Sequence, residues 1–143
     1  AQVEKDCGMW INILSRKIKK RMNANMQDLG LTGMQSRVMH YILVKYAAEP
    51  VFQRDVEGAF GLSRSTATGI LQLMEKNGLI LRESAANDAR MKSLIPTDKA
   101  ANLDAQIGEY LRQTEQKLTS GLSSAQIALF QESAARMYAN LNE

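Results

Sequence analysis

Apolar positions along most of this chain recur at steps of three and four, the spacing that lays one stripe along a helix. Ile11, Leu14, Ile18, Met22, Met26 and Leu29 form the first such stripe, and Gly30 stops it. "LTGMQ" follows, in which Thr32 as N-cap and Gln35 three residues on make a capping box. Val38, Met39, Ile42, Leu43 and Tyr46 are then the expected buried face of a second helix, broken by Pro50. "FQRDVEGAFG" predicts a helix of about two turns, with Val56 and Phe60 on one side and Gly61 at its end. Ser63 is placed to cap a further helix running to Asn77, where Gly78 supplies a left-handed stop. The period then changes. "LILRE" and "MKSLI" are β-compatible runs separated by the polar, turn-forming "SAANDAR", and Pro96 ends the second run. Thr97 or Asp98 caps a long helix carrying Leu103, Ile107, Tyr110, Leu111 and Leu118, which breaks at Gly121. Ser123 with Gln126 is a second capping box. It opens a helix in which Ile127, Phe130, Ala134, Met137 and Leu141 alternate steps of three and four, the repeat of helix-on-helix contact. No internal repeat or linker interrupts the pattern, so residues 1–143 are expected to form one mainly α domain with a small β-hairpin.

The helix expected over 63–77 has an unusual composition. At about 100° per residue, Ala67, Ile70, Leu71 and Met74 fall together and predict the side packed on the core. Ser65, Thr68, Gly69, Gln72 and Lys76 fall on the opposite side. Four hydroxyl residues lie between 63 and 68, a choice that lowers helix propensity without gain if the face is merely solvated. A short helix and a Gly-containing turn precede it, which is helix–turn–helix grammar: one helix braces and the next presents its outer face. Such a face suits the DNA major groove, about 12 Å wide. Short Ser and Thr permit close approach, Gly69 removes the side chain, Gln72 can pair with adenine, and Arg64 can reach phosphate or guanine. The helix N-terminus adds backbone donors for phosphate. The hairpin directly after it has the position of a wing, with Arg90 near its tip where a guanidinium can enter a minor groove and Asp88 able to orient it. The plainer alternative for Asp88 and Arg90 is a surface ion pair worth under about 1 kcal/mol.

Charge distribution narrows the picture. The net charge is +3, but residues 1–31 carry +3, residues 32–96 carry +2 and residues 97–143 carry −2. The first two thirds can therefore face a polyanion, and the last third is a poor candidate. One cysteine and one histidine exclude a disulfide framework and a multi-Cys zinc site. No metal or cofactor is expected. There is no Ser/His/Asp arrangement, P-loop or GxGxxG, so an enzyme is not expected either. No run of 18 apolar residues and no signal-peptide pattern occurs, which leads to the expectation of a cytoplasmic protein without membrane contact.

The segments "LTGMQSRVMHYI", "GLSRSTATGILQLMEKNGLILR" and "NDARMKSLIPTDKA" together resemble the multiple-antibiotic-resistance regulator (MarR) family of winged-helix repressors, in order and over nearly the whole chain. Pro96 stands where that family commonly has Leu, and Ala100 where it commonly has Gly. The resemblance implies a winged helix–turn–helix at 32–96, flanked by dimerisation helices at 1–31 and 97–143. It implies a homodimer on a pseudo-palindromic operator in double-stranded DNA, acting as a repressor released by a small lipophilic or phenolic ligand. The positions it marks for DNA contact are Ser63, Arg64, Ser65, Thr66, Thr68 and Gln72 on the helix, and Asp88 and Arg90 on the wing. Gly69 and Lys76 join them from the helix geometry. Ile11, Ile127, Phe130, Ala134, Met137 and Leu141 are the expected dimer contacts.

Peroxide-sensing members of that family carry a reactive Cys early in the first helix, and Cys7 stands about there. A thiol-based redox sensor using Cys7 is thus an alternative, although Arg21 and Gly33 lie where such members place tyrosines, and Glu4 and Asp6 do not favour a thiolate. A second alternative is a winged-helix module that binds protein and not DNA. The basic run Arg16–Arg21 reads as a solvated helix face. His40 reads as a helix-face residue. The eight methionines suit either core filling or the wall of a lipophilic pocket.

Overall fold

The computed structural model describes residues 4–85 and 88–142, and the side chains of 85–91 lie outside the description. The described elements are α1 (Cys7–Asp28), α2 (Gly33–Tyr46), α3 (Gln53–Phe60), α4 (Arg64–Lys76), β1 (Ile80–Ala85), β2 (Asp88–Pro96), α5 (Asp98–Leu118) and α6 (Ser124–Leu141). The chain forms two compact units, residues 1–110 and 111–143.

In the first unit, most helix starts coincide with a side chain that satisfies an otherwise orphaned N–H. The Asp6 carboxylate accepts from the Met9 amide at 2.8 Å to open α1. Thr32 accepts from the Gln35 amide at 3.0 Å while the Gln35 side chain accepts from the Thr32 amide at 3.2 Å, the box expected for α2. Asp55 does the same service at α3, accepting from the Phe52 amide at 2.9 Å. Gly30 and Gly61, with φ of 72° and 63°, make the left-handed turns that end α1 and α3.

The core of this unit contains Val38, Met39 and Ile42 from α2, Val51, Val56 from α3, Leu71 and Met74 from α4, Leu79, Ile80, Leu94 and Ala100. Ala100 is fully buried, so the small residue at that position packs without a glycine. Pro96 is tolerated as the terminal residue of β2, opposite Ile80.

Two expectations need correction. Tyr46 is 44% exposed, because the last turn of α2 runs past the core and the next buried residue is Val51. The hairpin is longer than its apolar runs: Ser84, Ala85 and Asp88–Arg90, expected as turn, belong to strands. Ladder hydrogen bonds use the backbone, so polar residues continue a strand wherever one face meets solvent. The register runs from Ile80↔Pro96 to Ser84↔Lys92 and shifts between Ser84 and Ala85. In addition, an isolated bridge joins Phe52 to Ser93, supported by the Leu94 amide donating to the Val51 carbonyl at 2.7 Å. No period in the sequence announces that bridge, which fastens the start of α3 to the hairpin.

The α1 stripe is only partly covered. Met26 is buried, Leu14, Ile18 and Met22 are half-buried, and Ile11 is exposed. In the second unit, Ser123 and Gln126 form the predicted capping box at 2.8 and 3.1 Å, and Gly121 turns the chain with φ of 82°. No residue of α6 is buried. Phe130, Tyr138 and Leu141 are exposed, Met137 is 37% exposed, and Ile127 and Ala134 are half-buried. Tyr138 falls on the same stripe by helical geometry and escaped the sequence pattern.

Candidate nucleic-acid interface

α4 separates its two faces cleanly. Ala67, Leu71 and Met74 are fully buried and Ile70 is half-buried, as the helical period requires. Ser65, Gly69, Gln72 and Lys76 are exposed on the other side. A Cβ added at Gly69 would meet nothing within 4 Å, so internal packing does not require glycine there. Leu73, at 52% exposure, also stands on the outer side, a position the apolar pattern does not single out.

The hydroxyl cluster divides into two tasks. Ser63 is the N-cap, accepting from the Thr66 amide at 3.2 Å. Its own hydroxyl donates to Thr66 Oγ1 at 2.9 Å and lies 3.3 Å from Ser65 Oγ. Thr68 is half-buried and its hydroxyl is engaged twice: it donates to the Arg64 carbonyl at 2.8 Å and accepts from Gln53 Nε2 at 2.9 Å. Gln53 also donates to the Arg64 carbonyl at 3.3 Å, so the first residue of α3 is tied to the first turn of α4. Thr68 therefore braces the two helices as well as lining the surface.

Further ties hold α3 in place. Lys45 near the end of α2 reaches Asp55 at 3.5 Å and Glu49 at 3.4 Å. Desolvation by burial pulls the Lys45 ammonium downward, but the Glu49 hydrogen bond and the nearby charges, Asp55 among them, outweigh it and raise its pKa above the ordinary lysine value. Tyr41 packs edge-on against Phe60 with ring centroids 5.6 Å apart.

Beside the start of α4 lies a cleft of about 460 Å³ lined in part by Gln53, Arg54, Arg64, Thr68, Arg82 and Lys92. Among the described residues Glu57 is its one acidic lining residue. Arg82 and Lys92 share a hairpin face because Arg82 pairs with Leu94, which stands two residues along β2 from Lys92. Among the described residues, Nε and Nη2 of Arg82 are buried without a hydrogen-bond partner, and Nε stands 3.9 Å from Glu75 Oε2. Of these cations only Arg64 was expected. Arg54, Arg82 and Lys92 join the surface through tertiary packing, and only the two-residue spacing of Lys92 and Leu94 hinted at a shared face. The Asp88 and Arg90 backbones belong to β2, but their side chains lie outside the described residues.

The other expected residues are placed apart from this surface. Cys7 is exposed at the start of α1. His40 lies on an exposed face with Nδ1 3.0 Å from Asp104 Oδ1. Among the described residues no group of three or more His, Cys, Asp or Glu could hold a metal ion, and no helix is long and apolar enough to cross a membrane.

A model of the MarR family matches residues 29–91, spanning α2 through β1 and ending within β2. The transcription regulator MarR of Oenococcus oeni is similar over 94% of this chain and 99% of its own, at 32% identity and a TM-score of 0.61. The chain belongs to the MarR family. The fold is shared more widely in this family. MepR of Staphylococcus aureus, solved in complex with DNA, is 22% identical over 92% of this chain and 96% of its own, with a TM-score of 0.77. MepR solved with ethidium bromide is 20% identical over 96% and 98% of the two chains, with a TM-score of 0.74.

The outer face of this MarR-family helix carries two opposite stability effects that equilibrium unfolding in urea separates. Ser63→Ala removes the cap and should destabilise the fold by about 0.5–2 kcal/mol. Gly69→Ala fills open space in a helix interior and should stabilise it by about 0.5–1 kcal/mol. Loss of stability on Gly69→Ala would mean that the glycine serves the fold itself.

Proposed function

We propose that this chain is a homodimeric, sequence-specific DNA-binding transcription regulator that places α4 in the major groove of an operator half-site and β1–β2 along the adjoining backbone. The observation that carries the reading is the exposed outer face of α4 next to a cleft that, among the described residues, is lined by four cationic residues and one acidic one. Arg64, Ser65, Thr66, Gly69 and Gln72 stand toward the bases, with Gln72 suited to adenine. Lys76, Arg54 and Lys92 are placed for phosphate. Ser63 and Thr68 hold the helix in position. Asp88 and Arg90 are assigned to the wing's approach to the minor groove. The solved complex of MepR with DNA supports the same use of a shared fold.

Two sets of variants test this assignment. Gln72→Ala should cost about 1–3 kcal/mol on the operator and relax preference at one or two base pairs per half-site. Lys76→Ala should weaken all duplexes alike and shallow the salt slope by about one unit for each phosphate no longer neutralised. Selection of bound duplexes from a random pool, followed by fluorescence anisotropy at several salt concentrations, reads both. Equal losses on operator and random DNA for Gln72→Ala would remove it from base reading.

The dimer is assigned to the terminal helices. α6 buries none of its residues within one chain, yet its stripe of Ile127, Phe130, Ala134, Met137 and Leu141 is apolar, and Ile11 on α1 is 51% exposed. An apolar stripe of that length is normally covered. Replacing both Met137 and Leu141 with Asp should give monomers or insoluble protein by sedimentation. A soluble dimer after that change would place the interface elsewhere.

The regulatory mode is repression relieved by a small lipophilic or phenolic ligand, supported by the likeness to MepR solved with ethidium bromide. Saturable binding of ethidium to the DNA-free protein, read by the rise in its fluorescence without unfolding, is the expected outcome, and no binding would remove this support.

A further inference from the structure

The end of α4 and the start of α5 share one hydrogen-bonded junction. Three successive carbonyls follow α4, those of Asn77, Gly78 and Leu79, and each accepts from a residue at the start of α5. Lys99 Nζ donates to the Asn77 carbonyl at 2.7 Å. Thr97 Oγ1 donates to the Gly78 carbonyl at 2.6 Å. The Thr97 amide donates to the Leu79 carbonyl at 3.1 Å. The Thr97 hydroxyl accepts at the same time from the Ala100 amide at 3.2 Å, so one oxygen caps α5 and fastens the turn after α4.

The turn itself is locked from the other side. The Gly78 amide donates to the Glu75 carbonyl at 3.0 Å and the Leu79 amide to the Met74 carbonyl at 2.9 Å, closing α4 on its own last turn. Gly78 has φ of 74°, and a Cβ there would stand 3.9 Å from Lys99 Cδ, so the lysine stem runs along the turn. The Lys99 cation also meets the negative end of the α4 dipole, where a positive charge is favoured. Burial of Leu79 and Ala100 on either side leaves this segment little freedom to shift.

We infer that Lys99, with Thr97, is a positioning residue for DNA recognition: it fixes the angle between α4 and the first turns of α5, and through that angle the spacing at which two copies of α4 meet their half-sites. This rests on the reading of α4 as the recognition helix of a dimer. Lys99 touches no base in this scheme. It acts through the α4 terminus, and its loss widens the range of angles that α4 samples.

The test uses the whole chain carrying Lys99→Met, which keeps the apolar stem and removes the donor, and Lys99→Arg, which restores a cationic donor. Anisotropy is measured on the selected operator, on the same operator with one base pair inserted between half-sites, and on random duplex. In the wild type the correct spacing should be preferred. Lys99→Met should shrink that preference by about tenfold, the equivalent of one charge-assisted hydrogen bond, and Lys99→Arg should restore most of it. If Lys99 instead bound phosphate directly, all three affinities would fall together and the ratio would stay unchanged. A merely stabilising role would lower the thermal midpoint and leave the ratio unchanged. Either pattern overturns the proposal.

Amide hydrogen exchange in the absence of DNA supplies an independent measurement. The peptide covering 74–82 should exchange faster in Lys99→Met than in the wild type, and unchanged exchange overturns the junction's role. Faster exchange in a protein that binds no duplex would sink the DNA-binding reading and leave the junction as a purely structural device.

Discussion

The whole arrangement depends on α4 turning one face into the core while leaving most of the other exposed. Ala67, Leu71 and Met74 are fully excluded from solvent, and together with the shared core they fix the helix's rotation. Rotation decides everything on the outer side. A turn of one residue in one sense would carry Gln72 into Leu71's place against the core, and in the other sense would carry Leu71 out to the position Gln72 holds, since neighbours on a helix stand about 100° apart. Helix α3 contributes by holding the N-terminal end, through the bonds of Gln53 to Thr68 and to the Arg64 carbonyl. The core therefore decides which short side chains face outward.

Much of this was legible in the sequence because α4 obeys one period and its buried residues have no polar alternatives. The caps at Thr32, Ser63 and Ser123 were legible for the same reason, since a hydroxyl three residues before a donor acts locally. What escaped was tertiary. Tyr46 satisfies the apolar spacing of α2 yet is exposed, because periodicity identifies a face and not where the partner element ends. The hairpin grew into a polar segment since backbone pairing tolerates Ser84 and Asp88. The cleft's cations come from α3, α4, β1 and β2, and no spacing rule links Arg54 to Arg82. The helical period alone makes Thr68 a free surface hydroxyl, whereas its bond to Gln53 joins residues fifteen positions apart in sequence.

The hydroxyl cluster shows why the outer face has its composition. Four hydroxyl residues in the first turns would weaken an isolated helix, because their side chains compete for backbone groups. Here the competition is turned to use. Ser63 caps, Thr66 accepts from Ser63, and Thr68 donates to the Arg64 carbonyl while accepting from Gln53. These bonds fix the direction in which each oxygen presents its remaining capacity. The result is a rigid polar surface of low relief, with Gly69 at its centre and Gln72 as its longest neutral polar side chain. A surface built from Lys and Glu would have offered more charge, at a larger loss of side-chain freedom on docking.

Charge placement then matters more than charge total. A net +3 is too small for strong long-range attraction, and at physiological salt fields fade over about 8 Å. Attraction to a polyanion must instead come from cations close enough to touch it. Among the described residues the cleft gathers Arg54, Arg64, Arg82 and Lys92 around a single Glu57, a local excess the whole-chain balance conceals. Arg82 is the unusual member, with Nε and Nη2 buried without a hydrogen-bond partner among the described residues. A guanidinium held this way has little room to relax into water, so its charge stays at the cleft wall. Among these cations Arg82 alone is held in this way, whereas Arg54, Arg64 and Lys92 are exposed and keep side-chain freedom that any contact with a polyanion would cost.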